Sequence, residues 1–301
     1  MKKNILLMTA LLGATVWTGC QKIEEELVEI EHAAAYTLVV EATKGADTKA
    51  LSLDGNTLNA HWADGEQVAV YLGGTKLGML TATPDGSDAS KATLAGTLDS
   101  VNGVTADVVL TLLFPRAEWD YTGQDGAAPT ADGSLSTKYD YATASVTVAS
   151  VNSSSKTITV KSAAQFQNQQ SMYCFSFGPS SNNLIIKQLT LFSEFDKLVQ
   201  SRSWNGSDWE ENYGPITITV PGNETRMVYA SLRNMRVGTS GGDYLTFTLI
   251  SDDQCLYMGN IEVPNSVLDV QGKFISARNK SVGIAKIPRD FTSGSTVNKA
   301  L

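Results

Sequence analysis

Residues 62–74 read Trp62-Ala63-Asp64-Gly65-Glu66-Gln67-Val68-Ala69-Val70-Tyr71-Leu72-Gly73-Gly74. Positions 67–72 are rich in residues that favour strands, and the Gly-Gly pair that follows is typical of a hairpin turn. The chain would then return through a second strand at 76–83. This hairpin indicates an antiparallel β-sheet, and similar patterns recur on both sides of it.

Strand-like runs lie on both sides of this hairpin along the chain, and together they predict an all-β protein. In the first half we predict strands at 36–43, 67–72, 76–83, 92–98, 106–114, 144–149 and 156–161, with long loops at 44–59 and 115–140. In the second half we predict strands at 171–177, 184–192, 197–204, 215–220, 227–233, 243–251, 255–263 and 273–277. Seven or eight strands suffice for one sandwich. We therefore predict two tandem antiparallel β-sandwich domains, at 36–162 and 163–289, with the least structured crossing near 161–166.

The first predicted strand, 36–43, has apolar residues on both of its alternating faces. Tyr36, Leu38 and Val40 would point one way, and Val39 lies among the residues that point the other way. Successive side chains of a strand point to opposite faces of the sheet. We therefore expect a strand that is covered on both sides and does not lie at an exposed edge.

The N-terminus has the features of an export signal. Lys2 and Lys3 precede a short apolar run at 5–16, and small residues lead to Cys20. This order is typical of a secretory signal peptide, here 1–19. The cysteine after the small residues resembles the lipobox of bacterial lipoproteins, which implies acylation of Cys20 and anchoring in the outer membrane. The alternative is an ordinary signal peptide with an incidental cysteine.

An acidic segment at 20–35 follows Cys20 and contains five glutamates. We interpret it as a solvated tether between the membrane and the folded part of the chain. A second interpretation comes from resemblance, because an acidic cluster after a lipidated cysteine is similar to the surface-export signal of Bacteroidetes lipoproteins.

The charge of the chain excludes some partners. The formal net charge is −8 and becomes −10 once 1–19 are removed, because that segment contains Lys2 and Lys3 but no acid. An acidic protein repels the phosphate backbone of nucleic acids and the surface of anionic lipids. We therefore expect no nucleic-acid partner, and membrane attachment would depend on the lipid.

Cys174 and Cys255 are the remaining cysteines, and each lies in a strand-like run. Two cysteines of an exported protein can form a disulfide. The alternative is that each is simply a buried small hydrophobic residue. A metal site is a weaker interpretation, because the chain has only His32 and His61.

We find no motif that indicates catalysis or a cofactor. The sequence has no His-Glu-x-x-His and no phosphate-binding loop. Asp252 and Asp253 are adjacent, and adjacent strand residues face opposite sides of a sheet. The sequence thus predicts a protein that is not an enzyme and has no cofactor.

Three aromatic residues cluster around one turn. Trp204 and Trp209 flank Asn205-Gly206-Ser207-Asp208, and Tyr213 follows. Exposed aromatic rings on a loop can stack on sugars, which makes these residues candidate ligand contacts. The alternative is that Trp204 and Tyr213 end two strands and pack inward, which would leave Trp209 alone exposed.

Three stretches together resemble the fimbrillin family of Bacteroidetes. Thr48-Lys49-Ala50-Leu51 followed by 62–71 is similar to the opening of the family's first domain. Phe114-Pro115 with 138–144 resembles its Tyr-Asp-Tyr-centred segment, and 166–177 resembles the start of the second domain. The chain is thus identified as a fimbrillin-like lipoprotein.

The resemblance implies two transthyretin-like sandwiches and a structural, anchoring or adhesive role in fimbriae. It implies assembly with other fimbrial subunits by strand exchange, in which a protease removes the first strand and a partner's strand fills the groove. The strand 36–43 would be the removable one, and the polar tail 290–301 a candidate donor. Host or bacterial surface ligands would be further partners, and a glycan-binding surface lipoprotein is the alternative function.

The chain departs from the resemblance at the expected cleavage point. Polymerising subunits are typically cut after an arginine near the first strand, whereas the first arginine here is Arg116. Only Lys44 and Lys49 could serve a trypsin-like protease there. This departure argues against a polymerising shaft subunit, since an anchor or accessory subunit that keeps its lipid needs no cut. The alternative is that a different protease acts.

Overall fold

The computed structural model describes 35–44, 52–54, 57–59, 61–130, 133–177, 185–193, 198–221, 227–233, 243–252, 256–263, 274–276 and 285–287. Strands dominate these residues, which confirms the all-β prediction. Their bounds are β1 (Tyr36–Lys44), β2 (Ser52–Asp54), β3 (Thr57–Asn59), β4 (Gln67–Leu72), β5 (Thr75–Pro84), β6 (Lys91–Leu98), β7 (Val109–Phe114), β8 (Glu118–Asp120), β9 (Ala142–Asn152), β10 (Thr157–Val160), β11 (Ala164–Asn168), β12 (Ser171–Ser176), β13 (Ile186–Ser193), β14 (Val199–Trp204), β15 (Trp209–Tyr213), β16 (Ile216–Thr219), β17 (Met227–Leu232), β18 (Asp243–Ser251), β19 (Leu256–Val263), β20 (Phe274–Ser276) and β21 (Ala285–Ile287). The helix α1 (Ser134–Lys138) is a short turn between β8 and β9.

The first half of the chain forms a sheet that closes on itself. Hydrogen-bonded neighbours follow the order β1, β11, β9, β7, β4, β5 and β6, and β6 pairs again with β1. β10 pairs with both β1 and β9. Closure removes the free edges that would otherwise be open to pairing with another chain. The result is barrel-like, and β1 lies parallel to β10 and β11, which our prediction of purely antiparallel pairing missed.

The core of this half lies inside the closed sheet. It is built from alternating residues of each strand, because only one face of each strand points inward. Leu38 of β1, Val68 and Val70 of β4, Leu94 of β6 and Leu110 of β7 are completely buried there.

Three smaller sheets are built mainly from strands of the second half. Their strand orders are β17-β12-β20, β16-β13-β18-β19-β21 and β15-β14-β8. A second core, which includes Phe177, Leu189, Leu191 and Phe247, lies among these strands. Because Ala33–Leu301 group into one compact unit, the division into two tandem sandwiches stays a prediction.

The connection between β7 and β9 belongs to the second core. We predicted a long loop there, but β8 within it pairs antiparallel with β14, which lies beyond the predicted domain boundary. Trp119, Tyr121 and Tyr141 of this connection are fully buried with the second-half residues. Their burial against strands about 80 residues later joins the two halves of the chain through side-chain packing.

Three further details differ from the sequence predictions. The predicted loop at 44–59 contains the short hairpin β2–β3, and the predicted crossing near 161–166 contains the start of β11. β15 (Trp209–Tyr213) was also missed, because no strand was predicted between 204 and 215.

Several predictions fall outside the described residues. These are the signal peptide at 1–19, Cys20, most of the tether at 20–35, and the tail at 290–301. In the part of the chain that is described, no helix is long and apolar enough to cross a membrane.

A glycine in β6 tests how closely β6 and β5 are packed. Gly96 pairs with Leu38 of β1 and with Leu80 of β5, and an added Cβ would lie 2.1 Å from the Met79 carbonyl oxygen. We predict that Gly96→Ala lowers the free energy of unfolding by about 2 kcal/mol, because the strands must separate to admit the methyl group. Urea denaturation followed by circular dichroism would measure this loss.

Gly86→Ala is the matched control. A Cβ at Gly86 meets no heavy atom within 4 Å, so its stability should match the wild type. Equal stability of both variants would show that β5 and β6 are not packed as described.

Candidate functional site

β1 is the strand that completes the closed sheet. It pairs antiparallel with β6 over eight residue pairs, from Tyr36↔Leu98 to Thr43↔Lys91. On its other side it pairs with β10 at Thr37 and Leu38 and with β11 at positions 42–44. Loss of β1 would therefore break hydrogen bonds on both sides and open the sheet.

The two faces of β1 have opposite environments. Tyr36, Leu38, Val40 and Ala42 are buried, as the alternation predicted. The other face is not covered, because Val39 is 48% exposed and Glu41 accepts a hydrogen bond from the Thr93 hydroxyl at the surface. The expectation of a strand covered on both sides is therefore wrong, although β1 is indeed not an edge strand.

Alternation also places Lys44, the last residue of β1, on the inward face. Position 44 continues the series 36, 38, 40 and 42, so the charged side chain of Lys44 points into the interior. The side chain of Lys44 is only 1% exposed. A lysine is almost never buried unless it is paired.

Two carboxylates compensate the charge of Lys44. Its Nζ lies 3.2 Å from Glu66 Oε2 and 3.3 Å from Asp140 Oδ2, and it donates to the His61 carbonyl oxygen at 3.3 Å. Glu66 precedes β4, and Asp140 precedes β9. The three side chains therefore tie β1 to two other parts of the first half.

Aromatic rings form the apolar wall around these charges. The Lys44 Nζ lies 4.4 Å from the ring centroid of Trp62 and 4.1 Å from that of Phe114, at distances typical of cation–π contacts. Trp62 also packs edge-on against Phe114 and Phe166. We name the group Lys44, Glu66, Asp140, Trp62 and Phe114 the Lys44 pocket.

The carboxylates of the Lys44 pocket are held in different ways. Asp140 is buried, and its Oδ1 accepts a hydrogen bond from Gln170 Nε2 at 3.2 Å. Glu66 is partly exposed, and its Oε2 accepts from the Ala63 backbone N–H at 3.0 Å. Burial raises the pKa of Glu66 above its ordinary value, because desolvation of the carboxylate outweighs the attraction of Lys44.

The burial of Lys44 makes it a poor cleavage site for the trypsin-like protease considered above. A protease needs an exposed, extended segment, whereas Lys44 lies within a strand with its side chain enclosed. Lys49, the other candidate, lies outside the described residues. Sequence alone could have indicated the inward position of Lys44 by extending the alternation one residue further. It gave no sign of its partners.

The candidate ligand-contact aromatics lie on the hairpin of β14 and β15. Trp204 and Trp209 are cross-strand partners, with ring centroids 5.5 Å apart. Trp209 packs against the buried Trp119 at 3.9 Å, and the Trp204 indole N–H donates to the Gly73 carbonyl oxygen at 3.2 Å. Both tryptophans are therefore half-buried by packing within the chain.

Tyr213 is the exposed member of the three. It is 46% exposed, and its hydroxyl donates to Glu211 Oε2 at 2.8 Å. The expectation that Trp209 alone would be exposed while Tyr213 packs inward is therefore wrong. The reason is that β15 is an outer strand of its sheet, and Trp209 at its start turns toward Trp119 and Arg202.

Arg202 fixes the inner side of this hairpin. Its guanidinium carbon lies 4.3 Å from the ring centroid of Trp209 and 5.3 Å from that of Trp119. Its Nε lies 3.3 Å from Glu211 Oε1. Burial lowers the pKa of Arg202 to about 10, so it stays charged at neutral pH. Because Arg202 stacks on Trp209 and Trp119 and is paired with Glu211, it holds these two tryptophan rings in place.

Cys174 is buried in β12, next to Tyr229 of β17 in the register of that sheet. Cys255 and Cys20 lie outside the described residues. The disulfide and the lipid attachment therefore stay predictions. Within the described residues, no group of three or more His, Cys, Asp or Glu side chains could hold a metal ion.

Comparison with known proteins gives matches only among solved structures. No family model matches the chain, and no curated protein matches it. A candidate cell adhesion protein from Bacteroides ovatus is 10% identical, with 85% of this chain and 97% of that chain covered and a TM-score of 0.43. The chain is also similar to the fimbrial anchor protein from Porphyromonas gingivalis, at 12% identity, 81% and 90% coverage and a TM-score of 0.38.

The tip fimbrial protein of Porphyromonas gingivalis is a further similar structure. It is 12% identical, with 77% of this chain and 83% of that chain covered and a TM-score of 0.38. The three neighbours are thus a candidate cell adhesion protein, a fimbrial anchor protein and a tip fimbrial protein.

Lys44 should be essential for the stability of the first half. We predict that Lys44→Met lowers the free energy of unfolding by about 3 kcal/mol, because it leaves the buried Asp140 without its positive partner. Chemical denaturation at neutral pH would measure the loss.

Lys91→Met is the matched control, because the Lys91–Asp88 pair lies at the surface with 56% and 40% of the side chains exposed. Its stability should equal that of the wild type within error. If both lysine variants behaved alike, the Lys44 pocket would not be a buried ion pair.

The aromatic hairpin offers a second comparison. We predict that Trp209→Ala lowers the free energy of unfolding by about 2 kcal/mol, because it removes the contacts with Trp119 and Arg202. Tyr213→Ala should cost much less, because that ring is largely in solvent. A stable Trp209→Ala variant would contradict a packing role and return Trp209 to the ligand-contact candidates.

Proposed function

We propose that the chain is a cell-surface lipoprotein that acts as a structural, anchoring or adhesive component of fimbriae, without turnover of a substrate. The observation that most supports this proposal is the position of β1 inside the closed sheet. It fills the closed sheet, and its one lysine is buried in the Lys44 pocket. The order of the fimbrillin-like motifs along the sequence supports the same role.

Assembly by strand donation requires a groove that an extended strand can fill, and in this chain β1 occupies such a groove. Without β1, the sheet would expose the backbone of β6 on one side and of β10 and β11 on the other. It would also expose the apolar pockets that now hold Tyr36, Leu38 and Val40. A strand from another chain could satisfy both, which is how strand addition gains affinity and specificity.

The burial of Lys44 favours a subunit that keeps β1. A trypsin-like protease cannot reach Lys44 while the sheet is closed, so the groove would stay filled by the chain's own strand. The chain would then remain joined to the acidic tether 20–35 and to a lipid on Cys20. These are the properties of a membrane anchor or accessory subunit, located at the outer membrane and exposed on the cell surface.

The proposed partners follow from this arrangement. A subunit with a filled groove would engage other fimbrial subunits by donating a segment, and the tail at 290–301 is the candidate. Lipid of the outer membrane would hold Cys20, and host or bacterial surface molecules would be ligands of an adhesive face. The acidic charge argues against nucleic acid.

The decisive experiment is N-terminal and mass analysis of the chain taken from the surface of its native cells. We expect an acylated Cys20 at the N-terminus, followed by an intact β1. An unlipidated N-terminus at Gly45 or Ala50 would instead mean that β1 is removed, which would refute the anchor role.

Cys20→Ala tests the lipid directly. This variant should leave the membrane fraction, because two acyl chains are needed for a stable anchor and the acidic chain has no attraction for lipid. Cys174→Ala is the matched control and should stay with the membrane. Membrane association that survives Cys20→Ala would contradict the lipoprotein proposal.

A further inference from the structure

The Lys44 pocket contains the groups needed for a reaction between two of its own side chains. An amine and a carboxyl group are in contact, with Lys44 Nζ 3.3 Å from Asp140 Oδ2. A second carboxyl group, Glu66, touches the same nitrogen at 3.2 Å. Both members of the first pair are almost completely shielded from water.

We propose that Lys44 and Asp140 condense to an intramolecular isopeptide bond, with Glu66 as the proton-transfer residue. The bond would join the end of β1 to the residue two positions before β9, 96 residues later in the chain. The inference is independent of the fimbrial role proposed above.

The reaction balances without an external reagent. The nitrogen lone pair of Lys44 forms a bond to the side-chain carboxyl carbon of Asp140, and one carbon–oxygen bond of that carboxyl group breaks. The two protons that the ammonium group loses pass to the departing oxygen, which leaves as water. Glu66 relays protons between nitrogen and oxygen and ends unchanged, and no group is oxidised or reduced.

The close contact of the two groups in the fold overcomes the slow rate of this condensation. In water an amine and a carboxylic acid do not condense at a useful rate. Groups held in contact by a folded scaffold react as if at very high concentration. Here the pairing of β1 with β6 and β11 fixes the backbone of Lys44. The hydrogen bond that Gln170 Nε2 donates to Asp140 Oδ1 fixes the carboxyl group.

The surroundings favour the product over the ion pair. Two charges in an apolar pocket carry a desolvation cost that an uncharged amide does not. The rings of Trp62 and Phe114, within 4.4 Å and 4.1 Å of the nitrogen, make this site apolar. Gln170 Nε2 donates to Asp140 Oδ1 and would stabilise negative charge on that oxygen during attack.

Glu66 is suited to the proton transfer. It contacts the reacting nitrogen, and it is the member of the pocket that reaches solvent, with 24% of its side chain exposed. Its raised pKa means that it takes up a proton more readily than an ordinary glutamate. The same opening provides a route by which the water can leave.

Peptide mapping of the purified, folded full-length chain tests the proposal. After denaturation, trypsin would release 23–44 and 139–156 as separate peptides if no bond exists. We expect instead that 23–49 remains joined to 139–156, with a combined mass about 18 Da, one water, below the sum of the two peptides. Cleavage after Lys44 should be absent, because its amine is an amide.

Two variants complete the test. Lys44→Arg keeps a positive charge beside Asp140 but cannot form the amide, so its peptides should separate. Glu66→Gln keeps the shape of the side chain but removes the proton acceptor, so the linked peptide should be lost in a chain that still folds. Circular dichroism establishes that each variant is folded.

The outcomes are distinct. Free 23–44 and 139–156 from the folded wild-type chain would overturn the proposal. A linked peptide that forms equally well in Glu66→Gln would overturn the role of Glu66. Neither result depends on lipidation or on fimbrial assembly, because both peptides lie beyond Cys20.

Discussion

The insertion of β1 between β6 and the pair β10–β11 is the interaction on which the first half of the structure depends. The other strands of this sheet form a curved surface with two open edges, and β1 satisfies both of them at once. It does so with a residue pattern that buries every second side chain from Tyr36 to Ala42. Because these pairings join residues far apart in the chain, the sheet closes only when most of the first half is in place.

The alternation that makes β1 a good strand also forces Lys44 into the core. A charged group cannot be buried at this position without partners, and Glu66 and Asp140 provide them. The energetic consequence is asymmetric. The pair adds little over an apolar contact of the same shape, but removal of one member leaves an uncompensated charge. The Lys44 pocket therefore acts mainly as a constraint, because it permits only the register of β1 in which the lysine meets both acids.

The sequence predicted the regular strands and missed the features that arise from long-range contacts. β4 and β18 match the predicted bounds, because alternation and turn residues are local signals. β8 and β11 were missed, since each is short and gains its order from partners far away in sequence. Asp140 was the last residue of the predicted long loop at 115–140, and nothing local indicated that it pairs with a lysine on β1.

The proposed attachment at Cys20 would give a physical reason to secure β1 at its far end. If the chain is held at Cys20, force enters the folded part at Tyr36 and acts along the strand, so the bonds to β6 resist it together. Lys44 is at the opposite end of β1, where its contacts with Glu66 and Asp140 oppose sliding of the strand by two residues. Such a slide would keep the same side chains facing inward, since the period of a strand is two. Pattern alone would not prevent it, whereas the contacts of Lys44 with Glu66 and Asp140 are available at only one position and do prevent it.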